Sequence, residues 1–366
     1  MKYGLVLAGG GTRGAYQVGV MKAMGELGIG ISAVCGTSIG AINGAFYVQN
    51  ALPTLEETWR TIRLSDVINH SQATEETNIL SMSNLSEIIR RIRDDGFDIS
   101  PLEKMLESLI DEEKIRTSPV DFGLVSLSLT NKKGVRLFKS EIKKGELCKY
   151  LIASASLPVF KKHEINNEQF IDGGVIDNMP NNLVIEKGYT DIIAVDVRGI
   201  GVKRAICGAG VNLIEINCKE PETGILDFDP KGIANSIDAG YYDCKKIFGE
   251  YMGEIYYFRT DEYIAQKHRY GERILSGIEL AAQIFGIARL WVYGVQEFVE
   301  KTVNEYEKQL VSFEKNSVNT SASVAAVLQL IKTIREQKSG FIKNKLDIFG
   351  KYYNAAGALI YFARKF

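Results

Sequence analysis

One pattern near the start of the chain limits its fold more than any other. A short apolar run, a glycine turn and a helical stretch occur in that order, twice. "YGLVLA" (Tyr3–Ala8) runs into "GGGTRG" (Gly9–Gly14), and Ala15, Val18, Met21 and Leu27 follow near helical spacing. "ISAVC" (Ile31–Cys35) then runs into "GTSIG" (Gly36–Gly40) and a second helical stretch. Two strand–turn–helix units in succession predict an α/β domain with a largely parallel sheet. The strand ends of such a sheet are where sites assemble, so both glycine turns are candidate chemistry.

The rest of the chain divides by composition. Residues from about 52 to 114 are polar-rich and mostly helical in pattern, as in "SNLSEIIRRIRDDG" and "PLEKMLESLIDEEK", and read as a helical insertion flanking a cleft. β-signals resume at "VDFGLVSLSLT" (Val120–Thr130) and "GVRLFKS" (Gly134–Ser140), joined by a hairpin-like "NKKG" that predicts an antiparallel part of the sheet. "QFIDGG", "TDIIAVDV", "VNLIEIN" and "EIYYFRT" (Glu254–Thr260) read as further strands. After about residue 262 the pattern is helical: one long stretch over Ile274–Leu310, another over Ser321–Gln337, and a last over Asn344–Phe366.

Bulk properties exclude several classes. With 44 Lys+Arg against 45 Asp+Glu there is no global case for a nucleic-acid partner. Cys35, Cys148, Cys207, Cys218 and Cys244 are widely spaced and form no CxxC pair. They read as reduced thiols of an intracellular, cytoplasmic protein, with no zinc site and no disulfide framework. No signal peptide is visible, and "AAGALIYFA" (Ala355–Ala363) falls far short of the roughly 20 residues a membrane span needs.

Three short motifs carry the chemistry. Gly9, Gly11 and Gly14 match a dinucleotide fingerprint. The acidic residue that a nicotinamide or flavin site needs after the next strand is missing, so no cofactor is expected. The glycines read better as a backbone nest whose N–H groups hold an oxyanion, with Arg13 adding charge or pinning the loop; a plain tight turn is the competing reading. "GTSIG" has the form of a nucleophile elbow, with Ser38 exposed at a helix start. The chain has three histidines. His70 and His268 lie in polar stretches, and only His163 is close to another motif, so an ordinary triad is poorly supported. In "FIDGGVIDNMP" (Phe170–Pro180), Asp172 ends an apolar strand. It either caps an Asx–Gly turn or stands where it can take a proton from Ser38.

Together "GGGTRG", "GTSIG" and "DGG", with "LIASASLPVF" (Leu151–Phe160) and "FDPKGIANSIDAGYYDCKKI" (Phe228–Ile247), resemble the patatin-like phospholipase family over about residues 3–250. The resemblance implies a three-layer α/β domain with a central, mainly parallel sheet over residues 1–262, and leaves 263–366 as a C-terminal helical extension. It implies a serine esterase that hydrolyses fatty acyl esters of lipids through a Ser–Asp dyad, without histidine or metal. Ser38 matches the nucleophile, Asp172 its partner, Gly9, Gly10 and Gly11 the oxyanion loop, and Arg13 the family's arginine. Ala8 stands where many members carry Asp or Ser before the glycines.

Two expectations remain open. The C-terminal helix, with Phe349, Tyr352, Tyr353, Leu359, Ile360, Tyr361 and Phe362 among its lysines and arginines, suits either peripheral contact with a membrane or packing on helices 274–337; packing is favoured. A rival of another class, an inactive lipid-binding or scaffold protein, is opposed by the intact Ser38, Asp172 and glycine loop.

Overall fold

The structure, a computed structural model, describes residues 3–69, 96–315, 321–335 and 346–363. The chain divides into two compact units, Met1–Cys244 and Lys245–Phe366. His70 and the helical reading of "SNLSEIIRRIRDDG" up to residue 95 lie outside the described residues.

The strands of the first unit are β1 (Tyr3–Leu7), β2 (Ile31–Thr37), β3 (Asp121–Ser128), β4 (Lys133–Phe138), β5 (His163–Ile165), β6 (Glu168–Asp172), β7 (Asp191–Asp196) and β8 (Asn212–Asn217). Its helices are α1 (Ala15–Glu26), α2 (Ile39–Val48), α3 (Leu52–Thr61), α4 (Ser100–Leu109), α5 (Glu112–Thr117), α6 (Leu147–Ser154), α7 (Gly174–Asp177), α8 (Asn181–Glu186) and α9 (Pro230–Ile247), the last of which runs into the second unit. The sheet order is β5-β6-β3-β2-β1-β7-β8, with β4 also on β3. From β3 to β8 every neighbouring pair is parallel; β4, β6 and β5 add antiparallel pairs. The fold is therefore α/β with a mixed sheet, parallel on one side and antiparallel on the other. β1 and β7 are near-continuous apolar runs, and Leu5, Val6, Leu7 and Ile192 through Val195 are fully buried. That composition suits central strands covered on both faces, and no face is left for alternation.

The register of β3 positions the site. Its residues 121–125 pair in parallel with Ala33–Thr37 of β2, Thr37 lying opposite Val125. β4 occupies one edge of β3 over residues 123–128. β6 pairs with Ser126–Ser128, and Asp172 lies opposite Ser126. Each strand has two edges, so β6 must take the edge that β2 leaves at Thr37. The residue after Thr37 and the last residue of β6 thus meet within one register step, about 3.4 Å along β3.

The second unit pairs β9 (Tyr251–Met252), β10 (Tyr257–Arg259) and β11 (Val292–Tyr293) in the order β11-β10-β9. "EIYYFRT" thus forms a strand of this small sheet. Around it stand α10 (Thr260–Tyr270), α11 (Glu272–Ile284), α12 (Val295–Glu314), α13 (Ala322–Arg335) and α14 (Leu346–Phe362). The long helix read over 274–310 is two helices. α11 stops before Gly286, at φ 80°, and β11 intervenes; a positive φ is cheap for glycine and ends a helix. In α14, Ala355, Ala358, Leu359 and Phe362 are buried in the unit's core, and Tyr352, Ile360 and Tyr361 pack against it. Its apolar face is spent on packing. Glu279 is fully buried there: one carboxylate oxygen accepts the N–H groups of Glu254, Ile255 and Tyr256 at 2.8, 2.7 and 3.0 Å, and the other accepts the Tyr263 hydroxyl at 3.1 Å.

Candidate active site

Ser38 stands between β2 and α2 with φ 56° and ψ −128°. That backbone conformation is strained for any residue with a Cβ. The bend closes only because its flanking residues are bare: a Cβ on Gly36 would overlap the backbone of Gly40, and one on Gly40 the carbonyl of Leu7. Surrounding bonds hold the turn. The Ser38 N–H donates to Ser154 Oγ at 2.9 Å, and the Ser154 hydroxyl donates to the Val125 carbonyl at 2.6 Å. Thr37 Oγ1 donates to the Asp177 carbonyl at 2.8 Å. Ser154 and Thr37 lie in segments the sequence marks, but nothing local assigns them this role. Their signal is the small, polar "SAS" and "GTS" spacing, which only the fold brings together.

Asp172 is 4% exposed. Its Oδ1 accepts the Gly174 N–H at 2.7 Å, while Oδ2 is buried with no hydrogen-bond partner among the described residues. Burial pushes its pKa from 3.8 up to about 6; the Ser38 hydroxyl and the Gly174 amide, which both favour the charged form, hold the rise back. Ser38 therefore faces the carboxyl group closely enough to influence it, without the full geometry of a hydrogen bond to Oδ2. The pair is a hydroxyl beside a buried carboxyl with one oxygen free.

The glycine turn needs a correction. The Gly9 N–H donates to the Asn178 carbonyl at 3.1 Å, and the Gly9 carbonyl accepts from Asn178 Nδ2 at 3.2 Å. Gly9 is committed to the loop after Asp172 and has no donor to offer. Among the described residues, the amide groups of Gly10 and Gly11 have no acceptor, and both residues line the cleft beside Ser38. Gly11, at φ 58°, has no room for a side chain because the Ile225 carbonyl packs against it. Arg13 pins the turn: Nε donates to the Thr223 carbonyl at 3.1 Å and Nη1 to the Arg198 carbonyl at 2.6 Å. Below the turn a buried polar chain fixes its height. Trp59 Nε1 donates to Asn43 Oδ1, Asn43 Nδ2 donates to Gln17 Oε1, and Gln17 Nε2 donates to the Ala8 carbonyl, at 3.1, 2.9 and 2.7 Å.

Two spaces meet at Ser38 and Gly11. A narrow apolar cavity of about 90 Å³ runs between α2, α3 and α4, lined by Ile42, Phe46, Leu55, Trp59, Leu106 and Leu109 among others. A wider cleft of about 280 Å³ holds Gly10, Asp172, Val175 and Asn178. Among the described residues no histidine lines either space. His163 lies on β5, its Nδ1 3.2 Å from Glu103 Oε1, and burial lowers its pKa. His268 is exposed on α10 in the second unit. Among the described residues no cluster of side chains could hold a metal ion.

The profile of the family described as patatin-like phospholipase matches residues 5–185. A patatin-like phospholipase domain-containing protein of Caenorhabditis elegans (ZK370.4) is 28% identical over 206 residues, covering 54% of this chain and 14% of that protein. A protein of Aspergillus terreus named lysophospholipase nte1 is 62% identical over 48 residues, covering 13% of this chain and 3% of the other. This chain thus matches only a small part of the length of these relatives. The crystal structure of VipD from Legionella pneumophila aligns over 98% of this chain and 88% of its own, at 14% identity and a TM-score of 0.44. Through residues 5–185, this chain belongs to the patatin-like phospholipase family.

Proposed function

We propose that the first unit is a serine esterase that hydrolyses fatty acyl esters of lipids, of phospholipase A or lysophospholipase type. One observation carries the reading: a buried carboxyl, raised in pKa and with a free oxygen, sits beside a serine held on a strained elbow. A serine hydroxyl is a weak nucleophile unless a neighbouring base takes its proton. A carboxylate of pKa about 6 is mostly ionised at pH 7 and is a better base than an ordinary aspartate.

In the proposed reaction Ser38 Oγ attacks the ester carbonyl carbon as its proton moves to Asp172. The oxyanion forms against the Gly10 and Gly11 amides, where fixed donors cost no reorganisation. Collapse breaks the acyl C–O bond, and Asp172 returns the proton to the departing alcohol. Water then attacks the acyl-serine, giving its proton to Asp172; collapse breaks the acyl–Oγ bond, Asp172 returns that proton to Ser38 Oγ, and the fatty acid leaves. The apolar cavity beside α2 suits the acyl chain, and the wider cleft suits the alcohol portion.

The test is fluorophosphonate labelling together with a lipid panel whose products are identified by mass. Labelling should occur at Ser38, and Ser38→Ala should release no fatty acid. Labelling elsewhere, or no fatty acid from any lipid with the unmodified chain, would favour the rival lipid-binding role.

A further inference from the structure

The connection between β7 and β8 departs from the rule for parallel strands. Such crossovers are normally helical, yet residues 197–211, "VRGIGVKRAICGAGV", contain no helix or strand. Irregular connections of this length in compact domains are usually functional or disordered. This one is tied down by its backbone. Val202 N donates to the Gly174 carbonyl at 2.8 Å, Asn178 N donates to the Val202 carbonyl at 2.6 Å, and the Arg198 carbonyl accepts from Arg13. The loop is thereby fastened both to the segment after Asp172 and to the glycine turn.

With its backbone bound inward, the loop presents side chains outward. Ile200 is 83% exposed and Val202 49%, and Val175 beside them is 40% exposed. Ile200 and Val175 stand at the mouth of the cleft that holds Ser38. Aliphatic side chains this exposed and this close together are costly in water unless something covers them. Cations surround them: Arg198, Lys203 and Arg204 lie in a stretch, Val197–Ile214, without a single Asp or Glu. Lys203 pairs with Asp196. Arg198 and Arg204 donate to the carbonyls of Lys219 and Ile176, at 2.6 and 2.9 Å, and neither forms an ion pair with a carboxylate among the described residues, although Arg204 lies near enough to Asp177 to favour its charged form.

We propose that loop 197–211 is the surface by which the protein docks on an anionic lipid bilayer, with Ile200 and Val202 entering the acyl layer and Arg198 and Arg204 meeting the headgroups. Aliphatic tips for the acyl boundary and cations for the anionic headgroups are what such a surface selects. The loop has none of the Trp or Tyr anchors typical of a protein interface. The inference rests on the acyl-ester reading of Ser38, since it places the cleft mouth against the membrane from which substrate is drawn.

The test uses the full chain carrying Ser38→Ala, so that no lipid is consumed, sedimented with vesicles of phosphatidylcholine with and without phosphatidylglycerol. Binding should require phosphatidylglycerol and weaken with salt. Adding Ile200→Ser and Val202→Ser should reduce partitioning about tenfold or more. Ile200→Trp should strengthen it, a gain that a misfolded protein would not show. Equal partitioning of the double-serine protein and its parent would overturn the proposal and leave the loop to a protein partner. Loop-dependent binding by a chain whose Ser38 form releases no fatty acid would uphold the docking surface and remove the esterase reading.

Discussion

Replacing Asp172 by Asn should abolish turnover and, near neutral pH, make the fold more stable by an amount that depends on pH. The carboxyl is buried with a pKa raised from 3.8 to about 6. At about 1.36 kcal/mol per pH unit, that difference is about 3 kcal/mol of cost for holding the charge inside the fold. The sign follows from proton binding. The folded carboxyl holds its proton more tightly than the unfolded one, so between about pH 4 and 6 the native state binds more protons and stability falls as pH rises. The cost is absent below the unfolded pKa and complete above the folded one. The amide of the Asp172→Asn protein does not titrate, so the difference between the two proteins isolates this residue. The substitution also carries a constant term. The new amide can still accept from Gly174 N, but its NH₂ replaces the partnerless Oδ2 and costs about 1–3 kcal/mol unless the Ser38 hydroxyl accepts from it.

The quantity to measure is therefore the change in stability difference with pH. Urea unfolding of both proteins, followed by circular dichroism from pH 4 to 7, should show the variant gaining on the parent by about 2 kcal/mol between pH 4 and 6 and levelling off by pH 7. In the parent, kcat/KM on a soluble ester should rise about tenfold per pH unit below about 6 and level off above it, because the base must be ionised. A stability difference flat in pH, or one that grew as pH fell, would refute the raised pKa. Undiminished turnover by Asp172→Asn would refute the base.

Three further substitutions probe the surroundings. Ser38→Gly should end labelling yet raise stability by about 1 kcal/mol, because glycine tolerates the φ of 56° that serine holds under strain; a clear loss of stability in denaturant would show that no strain is stored there. Ser154→Ala leaves the Ser38 N–H buried without an acceptor and should cost about 1–3 kcal/mol while lowering kcat more than it raises KM; unchanged kcat would remove Ser154 from the support of the elbow. Glu279→Ala orphans three backbone N–H groups and should destabilise the second unit by about 3 kcal/mol or more, whereas Glu279→Gln keeps the accepting oxygen and should cost less; equal losses in thermal melts would refute the nest.

What the sequence displayed of this site was its local part. Gly36, Ser38 and Gly40 are neighbours, and the elbow needs only their small size and the flanking strand and helix. Gly11 is legible only in part: its positive φ belongs to the local turn, but the Ile225 carbonyl that leaves no room for a side chain comes from far along the chain. Gly9 misled because its amide partner, Asn178, is far along the chain. Spacing cannot separate a glycine that frees a donor from one that spends it. The break in the second unit's long helix was hidden differently. Residues 285–294, "FGIARLWVYG", keep enough apolar side chains to continue a helical count, and Gly286 at positive φ together with the pairing of β11 overrides it.

The distance between Ser38 and Asp172 is where local reading ends, and it also bears on the proposal that a carboxylate serves in place of a histidine. β3 sets that distance by giving one edge first to β2 and then to β6, so Thr37 faces Val125 and Asp172 faces Ser126. Two backbones held one register step apart leave room for a short side chain between them. Gly174 and Asn178 close the space further, a Cβ on Gly174 falling 3.0 Å from Asp172 Oδ1 and 2.8 Å from Asn178 Oδ1. An imidazole in place of the Asp172 carboxyl would have to displace one of these, and close-packed interiors resist added volume. A carboxylate fits, and the burial that the tight fit imposes raises its pKa toward neutrality. In the proposed dyad the same backbone register therefore both shortens the reach required of Asp172 and raises its basicity.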